Sequence, residues 1–215
     1  MSKINAIHTA RNWLSRDPLI LDTETTGLDE RAEICDLAII DSTGRVLFNQ
    51  LIKPSQGIPV QASRIHGIDN TMVDFAPTFD RVLPELLHLL AGRLVLTYNA
   101  EFDVRMFEQS ARTATGFPVP LFGDGHVVKV QPGVHVIQGA TVETQARSAC
   151  IMLAYAEFAG VPGKYRGDYK WHKLAEAAAQ CGMRPQAVSL HRALYDAELA
   201  RLVLLHMTSA KDETL

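Results

Sequence analysis

Cysteine is scarce: only Cys35, Cys150 and Cys181 occur in 215 residues, and none belongs to a C-x-x-C pair. That excludes a disulfide framework and leaves a structural zinc site without support. All three read as buried thiols of a reducing compartment. Long apolar runs are missing as well. The longest, such as Leu86 to Ala91 broken by His88, fall far short of the roughly 20 residues that cross a bilayer. Met1 to Arg16 mixes charged, amide and aromatic residues without an apolar signal core, so a non-secreted, cytoplasmic, membrane-free protein is expected. No charge of one sign dominates either: 21 Lys and Arg face 24 Asp and Glu, a net charge of −3. Such a chain does not coat nucleic acid by bulk electrostatics, although a local grip on a strand end stays open. Repeats, linkers and low-complexity tracts are absent.

What is present is the composition of a folded domain. Hydrophobic residues make up 47%, with 14 Gly and 10 Pro, which rules out disordered and fibrous classes. The length fits a single domain, 1–215, able to bury roughly 70% of the surface its unfolded chain exposes. Pro18 to Thr23 is a short apolar run ending at two carboxylates, a buried strand that opens into a loop. Glu33 to Asp41 and Arg45 to Lys53 are β-rich runs joined by Ser42-Thr43-Gly44, so a three-stranded antiparallel meander is expected. Thr78 to Leu90 carries Phe79, Val82, Leu83, Leu86, Leu87 and Leu90, a helical stripe stopped by Gly92. Leu94 to Tyr98 then reads as a buried strand and Ala100 to Ala114 as a helix. A meander followed by strand–helix alternation implies an α/β domain with a mixed sheet. Phe117 to Thr144, rich in Gly and Val, reads as a β-hairpin insertion; a strand near Thr141 to Arg147 rejoins the sheet. Helices are expected at Ala149–Ala159, Lys173–Cys181 and Leu190–His206.

Three places carry chemistry. Asp22 and Glu24, two apart at a strand end, project from one face, at the strand terminus where open α/β sheets place their sites. Asp103 follows the next strand in Tyr98-Asn99-Ala100-Glu101-Phe102-Asp103, and approaches Asp22 if the two strands are neighbours. His191 and Asp196 open the last helix. Five positions at 100° each put them about 140° apart on a regular helix, so His191 must lie at or before the first turn. Taken singly, each also suits a plain structural part: solvated strand-end acids, a helix N-terminal acid favoured by the macrodipole, a surface histidine.

Taken together, Asp22-Thr23-Glu24-Thr25-Thr26-Gly27-Leu28, Asn99 to Asp103 and His191-x4-Asp196 resemble the DEDDh 3′–5′ exonuclease superfamily, which includes the proofreading epsilon subunit of DNA polymerase III, ribonuclease T and oligoribonuclease. Ile65-His66-Gly67-Ile68 and Trp171-His172-Lys173-Leu174 add to the likeness, which runs from about residue 18 to 207 and leaves out Phe117 to Thr144. The resemblance implies an RNase H-like α/β fold, a mixed five-stranded sheet flanked by helices. It implies that Asp22, Glu24, Asp103 and Asp196 bind two divalent cations, and that His191 deprotonates the attacking water. Four converging carboxylates cannot all stay ionised without cations, and an all-oxygen set favours Mg²⁺ or Mn²⁺. An imidazole with an intrinsic pKa of about 6.5 suits the base.

The same likeness points to Thr25 and Thr26 as groups offering amides and hydroxyls to the terminal nucleotide. Leu28 and Ile65 become apolar wedges beside the last bases, His66 and Phe102 pocket walls, and Asn99 a supporting group. Tyr98 stands where relatives often carry His, so no role is transferred to it. Outside the motifs, Gly163 to Lys173 interleaves Lys164, Arg166, Lys170 and Lys173 with Tyr165, Tyr169 and Trp171, a composition suited to a single-stranded path; the alternative is a solvated loop whose aromatics, Trp171 first among them, cap the core. The expectation is a metal-dependent exonuclease acting on single-stranded 3′ ends, DNA before RNA, and releasing nucleoside 5′-monophosphates. The rivals are an exoribonuclease and a non-catalytic nucleic-acid-binding module. The chain ends soon after its last helix, without an obvious polymerase-binding tail, and leaves a homodimer open.

Overall fold

A computed structural model describes residues 3–119, 122–123, 146–165, 167–186 and 191–211. The chain opens with helix α1 (Lys3–Leu14) and a meander of β1 (Leu19–Thr25), β2 (Ile34–Asp41) and β3 (Val46–Leu51). Short helices α2 (Val60–His66) and α3 (Asn70–Val73) lead to α4 (Phe79–Leu90), β4 (Leu94–Thr97) and α5 (Ala100–Thr115). After a two-residue β5 (Phe122–Gly123) come β6 (Ala146–Cys150), α6 (Ile151–Ala159), α7 (Leu174–Gln180) and α8 (Ala193–Ser209). Strand order is β3-β2-β1-β4-β6-β5. β1 pairs antiparallel with β2 and parallel with β4, while β4 and β5 each run parallel to β6. The meander and the mixed sheet are as the sequence implies, with the short β5 added at the edge. The rest of the expected hairpin in Phe117–Thr144 lies outside the described residues.

Alternation along β1 sorts the side chains onto two cores. Ile20 joins Ile40, Leu94 and Leu96 under α1, α6, α7 and α8. Leu19 and Leu21 join Leu37, Ile39 and Val95 under α4 and α5. Asp22 and Glu24 continue the parity of Ile20 and therefore emerge on the α8 side. The ladder from β4 continues through Cys150, so α6 starts at Ile151 rather than at Ala149. Helix α1 escapes the sequence pattern because it buries only Ala6, Ile7 and Ala10, too narrow an apolar stripe to stand out. Its Arg11 donates to the carbonyls of Thr208 and Ala210, closing the end of α8. Among the described residues no helix is long and apolar enough to cross a membrane.

Phe107 of α5 lies fully buried between two rings, edge-on to Phe79 at 5.2 Å and to Phe122 at 5.6 Å. Phe107→Ala should cost about 3–5 kcal/mol, the usual range for emptying such a position. Urea unfolding followed by circular dichroism measures it. A loss below about 1 kcal/mol would mean that β5 and α4 do not close over this ring.

Candidate active site

The site forms where β1 ends. A register shift between Glu24 and Thr25 breaks the β1–β2 ladder, as bulges beside sites do, and turns the chain into the loop Thr26-Gly27-Leu28. β4, parallel to β1, ends nearby. Asn99 precedes α5 and its carbonyl accepts the Phe102 and Asp103 amides at 2.9 and 3.3 Å, which places Asp103 in the first turn. From there Asp103, buried, accepts the Thr23 hydroxyl at 2.8 Å.

On the other face α8 delivers Asp196, also buried. His191 sits two residues before α8 in the left-handed backbone region, φ 62°, which resolves the angular conflict between it and Asp196. Its amide donates to Asp196 Oδ2 at 3.1 Å, and its side chain is exposed. One ligand atom from each of Glu24, His191 and Asp196 lies within 4.8 Å of the others. The imidazole is thus also within reach of an ion held by those two acids.

The electrostatics follow from burial first and from crowding second. Burial pushes the Glu24 carboxyl up to about 8, and the negative charges of Asp196, Asp36 and Asp103 add to it. Asp22 is raised well above the ordinary carboxyl range, first by burial and then by Asp103, Asp196 and Glu24. Burial carries Asp103 up to about 7 against the opposing hydrogen bond from Thr23. Asp196 is raised by burial, with the His191 amide working against it. Asp196 Oδ1 is buried without a hydrogen-bond partner. An oxygen-rich set of repelling acids with an orphaned carboxylate oxygen fits a hard divalent cation.

The neighbouring residues divide. Leu28 and Ile65 are 76% and 61% exposed, so neither is core and both are free to meet a ligand. Asn99 is exposed and Phe102 half-buried, the latter with the Arg105 guanidinium 5.5 Å from its ring. Two groups of residues also make contacts within the protein. The Thr26 amide is taken by the Glu33 carbonyl at 2.9 Å and its hydroxyl accepts the Glu33 amide at 3.0 Å. The Thr25 hydroxyl donates to the Gly27 carbonyl at 2.7 Å. These bonds shape the loop. His66 is buried; its Nδ1 accepts the Ile68 amide at 3.0 Å and Nε2 lies 3.9 Å from Cys35 Sγ. It braces the α2 turn and also lies beside the Thr25 backbone, with Asp36 and His191 near enough to act on it.

Trp171 does not cap the core. It is 63% exposed and Tyr165 67%, and with Lys164, Tyr169 and Lys170 they line a groove of about 810 Å³ against α6. Arg166 lies outside the described residues. Tyr98 is buried and donates its hydroxyl to the His172 carbonyl at 2.8 Å, a structural tie. The sequence reading overlooked Asp36 of β2, directly opposite Glu24, and its partner Arg192 at 2.9 Å. The sequence signal for Asp36 is slight, a lone acid inside the otherwise apolar run 34–40.

With this geometry in place, comparisons with known proteins agree on one class. The exonuclease family model RNase_T matches residues 19–204. A protein of Escherichia phage 186 named uncharacterized exonuclease CP81 is 38% identical over 190 residues, 88% of this chain and 87% of its own. The DNA polymerase III epsilon subunit of Aquifex aeolicus is 30% identical over 109 residues, 49% of this chain and 54% of that subunit. The solved structure of exonuclease X in complex with 5′ overhanging duplex DNA superposes with a TM-score of 0.56 at 24% identity, over 89% of this chain and 92% of that one; at that identity the likeness speaks for the fold. The chain belongs to the DEDDh family of 3′–5′ exonucleases, a fold that implies use of a divalent metal.

Without metal, the raised carboxyls impose a pH rule on stability. Between about pH 4, where unfolded carboxyls ionise, and about pH 8, the value reached by Glu24, the folded chain keeps protons that the unfolded chain has lost. Stability therefore falls as pH rises through this window. Chelator-treated protein should melt lower at about pH 8 than at about pH 5.5, and Asp22→Asn should melt at or above wild type at the higher pH. Thermal circular dichroism checks both. A wild-type melt that rises with pH would contradict mutual repulsion among the acids.

Proposed function

We propose that this exonuclease removes nucleoside 5′-monophosphates from single-stranded DNA 3′ ends, with two divalent cations, Mg²⁺ or Mn²⁺, held by Asp22, Glu24, Asp103 and Asp196. The observation that carries the reading is the convergence of these acids, with Glu24, Asp103 and Asp196 buried and all four carboxyls raised, around the partnerless Asp196 Oδ1. When bound, paired divalent ions supply Lewis-acid stabilisation of the attacking and leaving oxygens of an in-line phosphoryl displacement. His191 takes the proton of the attacking water on an imidazole nitrogen, and its exposed position before α8 lets it meet a strand end.

Leu28 and Ile65 wedge against the terminal bases, while Phe102 and Asn99 flank them. Thr25, Thr26 and His66 support from behind by fixing the loop and the α2 turn. DNA as the substrate is supported by the relative named for DNA polymerase III. Replication or repair is the setting consistent with that likeness.

Digestion of 5′-labelled single-stranded DNA and RNA with Mg²⁺ tests the reading. DNA should shorten from its 3′ end to mononucleotides faster than RNA, and chelator should stop it. Faster loss of RNA would reassign the substrate, and digestion that survives chelator would remove the metals. His191→Ala should lower kcat by about 10²–10⁴, the usual worth of a positioned base. Calorimetric Mn²⁺ titration should show the same number of ions bound; loss of one would make His191 a ligand.

Lys164 and Arg166 are assigned to the path of the strand along the aromatic groove, where bases stack on rings and cations follow phosphates. Replacing both by Ala should weaken oligonucleotide binding and lower the slope of log K against log[salt] by about 0.7 per lost contact. Cleavage of a small chromogenic thymidine phosphodiester should keep its rate. An unchanged slope would take the strand off this groove.

A further inference from the structure

Asp36 stands opposite Glu24 across the β1–β2 ladder, so its side chain shares the α8 face with Asp22 and Glu24. It is a fifth carboxylate at the site, buried, and the resemblance to other exonucleases assigns it nothing. Its Oδ2 accepts from Arg192 Nε at 2.9 Å and from the Ala193 amide at 3.4 Å, while Oδ1 is buried without a partner. Arg192 and Ala193 are the two residues that follow His191.

His191 itself holds a left-handed backbone, φ 62°, which side chains other than glycine rarely adopt. Such a conformation persists only where its surroundings over-determine it. Here two carboxylates do so. Asp196 Oδ2 takes the His191 amide at 3.1 Å, and Asp36 Oδ2 takes the side chain of the next residue and the amide after that. Three consecutive residues are pinned from β2 and from α8 itself. The Arg192 guanidinium also offsets the charge of Asp36, leaving that acid paired beside a cluster already crowded with negative charge.

We propose that Asp36 and Arg192 are positioning residues for the base, pinning the turn before α8 and so aiming His191 into the acid cluster. This rests on the reading of His191 as the base. The pair does not touch substrate; it acts through the histidine. Arg192→Gln removes the pin and strands a buried carboxylate next to Glu24. Asp36→Asn keeps an oxygen acceptor for Arg192 and Ala193 and removes only the charge, so it should be the milder change.

A mutant cycle through His191 tests the proposal, with the small chromogenic thymidine phosphodiester as substrate at a temperature well below melting. Arg192→Gln should lower kcat by about 10²-fold, the scale of a misplaced catalytic group, with KM and Mn²⁺ stoichiometry near wild type. In a His191→Ala background the same substitution should cost nothing further. Asp36→Asn carries the same cycle if Arg192→Gln does not fold. An equal loss in both backgrounds would overturn the proposal, because the pair would then act through Asp196 or the seating of α8. So would a wild-type rate in both single variants. A wild-type rate in His191→Ala alone would overturn the base assignment on which the proposal stands.

Discussion

Burial of carboxylates that also repel one another is the constraint around which this molecule is organised. Two like charges at 4 Å interact by about 4 kcal/mol at the effective dielectric found near protein surfaces, and a whole domain is stable by only about 5–15 kcal/mol. Four ionised acids at the end of β1 could consume that margin. The protein meets the problem by holding protons at neutral pH, with Glu24 up at about 8 and Asp103 at about 7, and by leaving Asp196 Oδ1 open. A site built this way is poised to exchange protons for cations.

The fold supplies both the place and the stiffness. β1 lies inside the sheet, flanked by β2 and β4, so its end is bordered by elements on every side. The parallel β4 delivers the start of α5, and with it Asp103, from one face. α8 delivers Asp196 from the other, over a core that includes Ile20, Ala197 and Ala200. Because Asp103 and Asp196 arrive from opposite faces, neither core alone sets the site; both must pack for the acids to meet. The bulge after Glu24 then releases the chain, so that Leu28 stands exposed on a loop anchored by Thr26 and Glu33.

Much of this was legible in the sequence, for physical reasons. Period-two spacing puts Asp22 and Glu24 together, while a helical apolar stripe marks α4 and an unbroken apolar run marks β4 whatever their neighbours. The five-residue gap between His191 and Asp196 forces the histidine off the helix, where it is found. What escaped depends on three-dimensional context. Asp36 looks like any acid in a strand until its cross-strand partner is known to be Glu24. The inward turn of His66 depends on the Ile68 amide and Cys35, and the closed hydrogen bonds of Thr26 depend on Glu33, seven residues away. Trp171 is exposed because Tyr98 and His172 close that end of the core in its place, a contact spanning 74 residues. α1 buries too little to announce itself.

If the acid cluster is a proton store that divalent cations empty, binding must release protons. The direct measurement is calorimetric titration of Mn²⁺ into chelator-stripped protein near pH 7, repeated in buffers of different ionisation enthalpy. With the Glu24 carboxyl at about 8 and Asp22 also raised, by burial and by its acidic neighbours, saturation should release about one proton or more, and Asp22→Asn should reduce that release. Tight binding of Mn²⁺ with no proton released, or no binding at all, would contradict the account.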